Sequence, residues 1–237
     1  MTLPRDQQLC QRRQELLERI SEWCDQYGRA RDCVRLLAVS KQFPADDIQA
    51  LAGCGQTAFG ESYLNEALDK LDVLSGLNLD WHLIGPLQAN KTRRIAERFA
   101  WVQSLDRIKV AQRLAEQRPP DLPPLNVCLQ VNISGEASKA GADPAGLPEL
   151  AAAVSELPQL RLRGLMAIPA PTIQFGEQRA AFARLRELYQ GLIAAGHALD
   201  TLSMGMSNDL EAAIAEGSNL VRVGTALFGQ RPDTRAD

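Results

Sequence analysis

Eight strand-like apolar runs alternate with amphipathic stretches along this chain, and that alternation constrains the fold more than any other feature. The predicted strands cover residues 36–41, 57–60, 79–84, 101–104, 125–132, 161–168, 201–203 and 220–223. The predicted helices after them cover residues 44–53, 62–75, 91–99, 107–117, 144–156, 177–195 and 209–216, with one helical turn after the last strand. Strands joined by helices run parallel, and eight of them in 237 residues close most naturally into a (β/α)8 TIM barrel of the α/β class. An open, doubly wound sheet is the alternative.

One more helix precedes the first strand. Leu9, Leu16 and Ile20 recur at spacings of seven and four, which places them on one face of a helix over residues 5–27. No low-complexity linker divides the chain, and its length suits one barrel. We therefore expect residues 1–237 to form a single domain with an extra N-terminal helix.

Composition excludes several classes of function. The net charge of -3 and the dispersed arginines argue against nucleic acid as a partner, because such binding needs a basic face. The sequence contains neither a signal peptide nor a long apolar span, so we expect a cytoplasmic protein without membrane contact. Two histidines do not favour a histidine-rich metal site. The odd number of cysteines suggests reduced thiols rather than disulfides: Cys10, Cys24, Cys33, Cys54 and Cys128.

Lys41 follows the apolar run of the first strand and is one of only five lysines. In a barrel, functional groups gather at the C-terminal ends of the strands, and Lys41 lies at such an end. A lysine amine in a partly dry site can lose its proton near neutral pH and form a Schiff base with an aldehyde. The alternative is that Lys41 only marks the solvent end of the strand.

The ends of the last two strands suggest a phosphate site. Ser207, Asn208 and Asp209 precede a helix, and Glu211 lies three residues after Asn208, which is the pattern of a capped N-terminus. Such a terminus offers backbone amides to an anion, and the segment 224–225 offers a second set where glycine allows close approach. Together with Lys41 this favours a phosphorylated aldehyde as ligand. The alternative is a capped helix and a glycine turn that hold no ligand.

At this point the chain resembles the pyridoxal phosphate homeostasis proteins, the YggS/PROSC family, and is similar to the N-terminal barrel of alanine racemase. The resemblance covers almost the whole chain. It rests on six segments: LLAVSK at 36–41, FGESYLNEALDK at 59–70, WHLIGPLQANKTRRI at 81–95, LQVNISGEASKAG at 129–141, RLRGLMAIPAP at 161–171 and LSMGMSNDLEAAIAEGSNLVRVGTALFG at 202–229.

The resemblance implies pyridoxal 5′-phosphate as the cofactor, held as a Schiff base on Lys41. It further implies that Arg222 faces the pyridine nitrogen. The remaining cofactor-binding residues it implies are the phosphate ligands and their neighbour: Ser207, Gly224 and Thr225, with Met206 beside them. The family usually has asparagine where this chain has Ser62, so a contact from that position to the ring is not expected to be the same.

The same residues argue against strong catalysis. Arg222 cannot readily give a proton to the ring nitrogen, so the cofactor would be a weaker electron sink. Racemases of this fold add a tyrosine base from a further C-terminal domain, whereas this chain ends at Asp237 and Tyr63 is expected to pack or hydrogen-bond. We therefore expect a monomeric protein of cofactor homeostasis that stores, buffers or delivers pyridoxal phosphate, with apo-enzymes as partners.

Two enzyme readings stay open. One is a weak amino-acid racemase or another pyridoxal phosphate-dependent enzyme, and the other is a sugar-phosphate enzyme with Lys41 as an aldolase-type amine. Near the predicted site, His82 is expected to hydrogen-bond inside the barrel. Asn132 lies at the end of the fifth predicted strand and Lys139 follows it, and Lys139 is either a second amine for the aldehyde or an exposed loop lysine.

Overall fold

A computed structural model describes residues 3–136 and 140–230 of the chain. Eight parallel strands form a closed barrel in chain order, and the last strand pairs with the first. The strands are β1 Arg35–Val39, β2 Ala58–Glu61, β3 Asp80–Leu83, β4 Trp101–Leu105, β5 Leu125–Gln130, β6 Leu160–Met166, β7 Thr201–Ser203 and β8 Leu220–Val223. This closure confirms the predicted (β/α)8 barrel, and the open-sheet alternative is wrong.

Nine α-helices lie in the described part of the chain. They are α1 Arg5–Gln26, α2 Ala45–Gly53, α3 Leu64–Val73, α4 Thr92–Arg98, α5 Ile108–Gln117, α6 Leu147–Ser155, α7 Phe175–Ala194, α8 Leu210–Ala215 and α9 Thr225–Phe228. Short 3₁₀ turns at Ala89–Lys91 and Pro144–Gly146 precede α4 and α6. None of the helices in these ranges combines the length and apolar character needed to cross a bilayer.

Strand β1 shows how the alternation of side chains separates the core from the site. Leu36 and Ala38 face outward and pack in the core between the sheet and the helices. Val39 and, beyond the strand, Lys41 face the other way and line a cavity. Because side chains alternate along a strand, the apolar run that builds the core also directs Lys41 towards the barrel mouth. The strand itself ends at Val39, two residues earlier than predicted.

The predicted N-terminal helix is confirmed as α1, which packs against α2, α8 and α9. Its Leu9, Leu16 and Ile20 are all buried, as their spacing indicated. At its start, the Arg5 guanidinium makes two hydrogen bonds to the carboxylate of Asp47, at 3.1 and 2.6 Å, and a third to a backbone carbonyl of α9. The helix therefore lies outside the ring of helices and ties its first and last members together.

The expectation of reduced thiols is wrong for one pair of cysteines. Cys10 of α1 and Cys54, directly after α2, are joined as a disulfide, and their Cα atoms lie 5.8 Å apart. That Cα separation is normal for such a bond. Because 44 residues separate the two positions and no spacing motif marks them, only the packing of α1 against α2 could reveal the pair. Cys24, Cys33 and Cys128 are free thiols.

The loop after β7 depends on a glycine. Gly205 has a φ of 96°, and a Cβ at this position would lie 2.6 Å from the Cβ of Ala213 in α8. Both the backbone conformation and the space therefore require glycine. The close approach sets the loop that carries Met206 and Ser207 against α8 and fixes its course at the barrel mouth.

Candidate functional site

A cavity of about 1130 Å³ opens at the C-terminal ends of the strands. It contains all six residues that the sequence pointed to, which come from the segments after β1 and β7 and from β8 and the start of α9. These residues are Lys41, Met206, Ser207, Arg222, Gly224 and Thr225. The loop between β6 and α7 forms a further part of the wall. The structure thus brings together residues that lie up to 184 positions apart in the chain, as Lys41 and Thr225 do.

Lys41 lies in a tight turn directly after β1. The amide of Phe43 donates to the carbonyl of Ser40 at 3.0 Å, so Lys41 and Gln42 are the two central residues of a β-turn. Gln42 has a φ of 66°, which no other non-glycine residue in the described ranges has in the positive region. Lys41 is partly buried and lines the cavity, so it does not simply mark a solvent-exposed strand end.

Arg222 is buried in the barrel beneath the cavity, with only 3% of its surface exposed. Its Nη1 donates to Ser203 Oγ and its Nη2 donates to the carbonyl oxygen of Ala167, both at 2.8 Å. Burial lowers the pKa of the guanidinium to about 10, which is still far above neutral pH. The side chain therefore stays charged and is held in one orientation towards the cavity.

A chain of hydrogen bonds continues from Arg222 into the barrel interior. Ser203 Oγ donates to Gln103 Oε1 at 2.6 Å, and Gln103 Nε2 lies 2.8 Å from His82 Nδ1. Because Arg222 can only donate, the donor direction along this chain makes Nδ1 the acceptor and leaves the proton of His82 on Nε2. The prediction that His82 hydrogen-bonds within the barrel is confirmed.

His82 is a neutral ring in this setting. It stacks on Trp101 with ring centroids 4.9 Å apart, and it is almost fully buried. Burial first, and then the nearby Arg35 guanidinium, lower the pKa of His82 to about 3. A proton carrier near neutral pH needs a pKa near 7, so His82 supports the site through structure and not through proton transfer.

The segments after β7 and β8 form one side of the cavity and contact each other there. The amide of Ala226, in the first turn of α9, donates to Ser207 Oγ at 3.4 Å. The first amides of a helix have no partner within the helix and point towards its N-terminal end, where Gly224 and Thr225 line the cavity. This arrangement is suited to an anion held by a hydroxyl and backbone amides.

The predicted cap of the helix after β7 is wrong in its details. Helix α8 begins at Leu210 with Asp209 at the N-cap position, and no side chain caps it. Instead, the carboxylate of Asp209 accepts from the Met206 amide, and burial raises the pKa of this carboxyl. Glu211 accepts a hydrogen bond from the Tyr27 hydroxyl at 2.9 Å. A tertiary contact with the end of α1 thus draws Glu211 away from the capping role.

Other residues singled out by the sequence lie in different places. Ser62 lines the cavity, whereas Tyr63 is 53% exposed and does not. Asn132 also lies off the cavity wall, and its amide donates to the carbonyl of Glu136 at 2.8 Å. Lys139 falls outside the described residues.

Sequence reasoning missed the loop between β6 and α7 as part of the site. The loop lies beside the segment after β7 and contributes a continuous stretch of the wall from Ile168 to Phe175. Its Ile173 is 99% exposed. The segment RLRGLMAIPAP, which ends within this loop, was the one signal that could have pointed to it.

Comparisons with known proteins agree with this fold. The family model described as "Alanine racemase, N-terminal domain" matches residues 18–232. A protein of Pseudomonas aeruginosa named pyridoxal phosphate homeostasis protein is 62% identical over 213 residues, which are 90% of this chain and 91% of that protein.

Solved structures are similar as well. PipY of Synechococcus elongatus PCC7942, whose structure is described as having PLP bound, is 37% identical with a TM-score of 0.82 and covers 93% of this chain and 100% of its own. Alanine racemase from Corynebacterium glutamicum is 16% identical with a TM-score of 0.72, over 98% of this chain and 63% of that chain. At that identity the likeness concerns the barrel fold alone.

Proposed function

We propose that this chain, which belongs to the pyridoxal phosphate homeostasis protein family, binds pyridoxal 5′-phosphate in the cavity at the barrel mouth. One observation carries the proposal: a single cavity joins the Lys41 side chain to a buried arginine and to a hydroxyl and helix start suited to a phosphate. PipY, which is described with PLP bound, covers 93% of this chain.

The residues present fit this cofactor. The volume of about 1130 Å³ is slightly above the range of roughly 300–1,000 Å³ that is usual for small-molecule sites, so the ligand has room. The phosphate would be held by Ser207, Gly224 and Thr225, with Met206 beside them. Bound pyridoxal phosphate would supply an aldehyde and an electron-withdrawing ring. Arg222 would donate to the ring nitrogen and, being permanently charged, keep that nitrogen unprotonated.

Lys41 would hold the cofactor as a Schiff base. Its place in the turn after β1 puts the side chain in the same cavity as the phosphate-binding segments, as a ligand with an aldehyde and a phosphate requires. The reaction needs a neutral amine, because only the unprotonated nitrogen can attack the aldehyde carbon.

We further propose that the protein stores, buffers or delivers the cofactor and does not use it for strong catalysis. Among the described residues of the cavity wall, the titratable side chains are Lys41, Asp209 and Arg222. Asp209 is already an acceptor for the Met206 amide, and Arg222 does not lose its proton near neutral pH. Apart from Lys41, no side chain in this set could therefore serve as a second base. Apo-enzymes as recipients, a cytoplasmic location and a monomeric state remain predictions.

The proposed binding is tested by the absorbance spectrum of the purified protein, followed by borohydride reduction and peptide mapping. We expect the absorbance of a protein-bound imine and a reduced adduct on Lys41. Lys41→Ala should abolish both, because it removes the amine that forms the imine. The control Lys109→Ala, at an exposed position, should keep both. Trapping at full yield in Lys41→Ala would assign the linkage to another lysine, such as Lys139.

The proposed lack of strong catalysis is tested separately. Amino acids incubated with the protein in deuterated water should show neither rapid α-hydrogen exchange nor optical inversion. Rapid inversion by the wild-type protein would refute the proposal, because it would require a second base that the described residues of the cavity wall do not offer.

A further inference from the structure

The turn that carries Lys41 is held from outside the cavity by two side chains of α3. Lys70 Nζ donates to the carbonyl oxygen of Ser40 at 2.8 Å, and Glu66 Oε1 accepts from the amide of Gln42 at 2.5 Å. Ser40 and Gln42 are the immediate neighbours of Lys41. The backbone is thus bound to α3 on both sides of this lysine.

A buried ionic network supports these two contacts. Lys70 Nζ also lies 2.7 Å from Glu61 Oε1 and 2.6 Å from Glu66 Oε1, and Ser40 Oγ donates to the same oxygen of Glu61 at 2.6 Å. The side chains of Lys70 and Glu61 are 8% and 0% exposed. Burial raises the pKa of the Glu61 carboxyl, although Lys70 and Ser40 act in the opposite direction.

Buried charges of this kind are weak evidence for stability, because desolvation offsets much of their attraction. Their geometry, however, fixes the position of whatever they bind. Here they bind a turn in which Gln42 adopts a φ of 66°, a backbone conformation that residues other than glycine rarely adopt. Such a conformation persists only where neighbouring groups determine it, and the bond to Glu66 is the contact that holds the Gln42 amide.

We propose that Glu66 and Lys70 are positioning residues that hold the turn around Lys41 and so determine how completely its amine reacts with the cofactor aldehyde. The inference rests on the proposed function. In the reaction, the neutral amine of Lys41 adds to the aldehyde carbon. The aldehyde oxygen then leaves as water with the two amine hydrogens, and a C=N bond remains.

The test compares two ligands in Glu66→Ala, Glu66→Gln and Lys70→Met. Pyridoxal phosphate can react with Lys41, whereas pyridoxine 5′-phosphate has the same ring and phosphate but no aldehyde. In Glu66→Ala we expect the affinity for pyridoxal phosphate and the borohydride-trapped fraction to fall on the order of tenfold, because a charge-assisted hydrogen bond is lost. The affinity for pyridoxine 5′-phosphate should not change. The Glu66→Gln variant should lose less affinity for pyridoxal phosphate, because its side-chain amide oxygen can still accept a hydrogen bond from the Gln42 amide.

Asp72→Ala is the matched control, because Asp72 lies on the same helix and pairs with Arg98 at the surface. It should leave both affinities unchanged. A second measurement needs no cofactor: hydrogen exchange of the Gln42 amide in the ligand-free protein should accelerate in Glu66→Ala and not in Asp72→Ala.

Two results would overturn the proposal: equal losses for both ligands, which indicate a general structural role, or no loss for either. Should Lys70→Met fail to fold, the Glu66 variants decide, since the Glu66 side chain is 28% exposed and easier to replace. Failure of the proposed function would be recognised separately, because the wild-type protein would then give no trapped adduct. Hydrogen exchange of the Gln42 amide would still show whether Glu66 holds the turn.

Discussion

Replacing His82 with asparagine should make the free energy of unfolding less dependent on pH between pH 7 and pH 5. In the folded protein, burial and the Arg35 guanidinium lower the pKa of His82 to about 3. In the unfolded chain the ring has an ordinary pKa near 6.5. Between these two values the unfolded state binds the proton and the folded state does not, so stability is present above pH 6.5 and is lost as the pH falls.

The size of the effect follows from the same two values. At pH 7 the unfolded ring is mostly neutral, and its protonation lowers the free energy of unfolding by only about 0.2 kcal/mol. At pH 5 the loss is about 2 kcal/mol, because each pH unit below 6.5 is worth about 1.4 kcal/mol. His82 alone should therefore lower the free energy of unfolding by about 2 kcal/mol between pH 7 and pH 5.

Urea denaturation at pH 7, 6 and 5 measures this difference. The asparagine Oδ1 can still accept from Gln103, but the stacking on Trp101 is lost, so His82→Asn should be less stable than wild type at pH 7. Between pH 7 and pH 5, however, the free energy of unfolding of His82→Asn should fall by about 2 kcal/mol less than that of the wild type. His197→Asn, outside the barrel, is the control. If the wild type and His82→Asn changed in parallel, or if His197→Asn were the flatter variant, the reasoning would be refuted.

Ser207→Ala should weaken binding of pyridoxal phosphate by roughly 1 kcal/mol, a typical net hydrogen bond, and leave the affinity for dephosphorylated pyridoxal unchanged in parallel titrations. Equal weakening would place Ser207 away from the phosphate. Arg222→Glu should allow a protonated ring nitrogen and therefore increase deuterium incorporation into alanine more than optical inversion; unchanged incorporation would contradict the role of Arg222. Thiol titration of the denatured, unreduced protein should find three reactive thiols, and five would refute the bond between Cys10 and Cys54. Cys10→Ser should lower the free energy of unfolding by roughly 4 kcal/mol for the 44-residue separation that the disulfide spans, as measured by urea denaturation.

Much of the fold was predictable because its signals are local. Strands β7 and β8 were predicted with the bounds they have, and α1 ends one residue before its predicted end. Helical and strand periods are read within a dozen residues, and alternating strands and helices leave few architectures open. The ends of the elements were predicted less accurately. The helix after β1 begins at Ala45, one residue after the predicted start at Pro44. Strand β1 stops at Val39, where the chain enters a turn that depends on α3.

The candidate site divides in the same way. All six predicted residues line one cavity, because strand ends and glycine-rich loops are visible in the sequence and the barrel brings strand ends together. That they bind the cofactor stays a prediction. The capping role of Glu211 was wrong because a distant residue, Tyr27, binds its carboxylate.

Sequence alone thus determined which chain segments reach the barrel mouth and which of their residues could bind a phosphorylated aldehyde. Tertiary structure alone decided what holds those residues. The chain from Arg222 through Ser203 and Gln103 to His82 takes one residue from each of four strands, and the support of Lys41 comes from α3. Such contacts join residues far apart in the chain and follow no period, because they are fixed by the closure of the barrel in space.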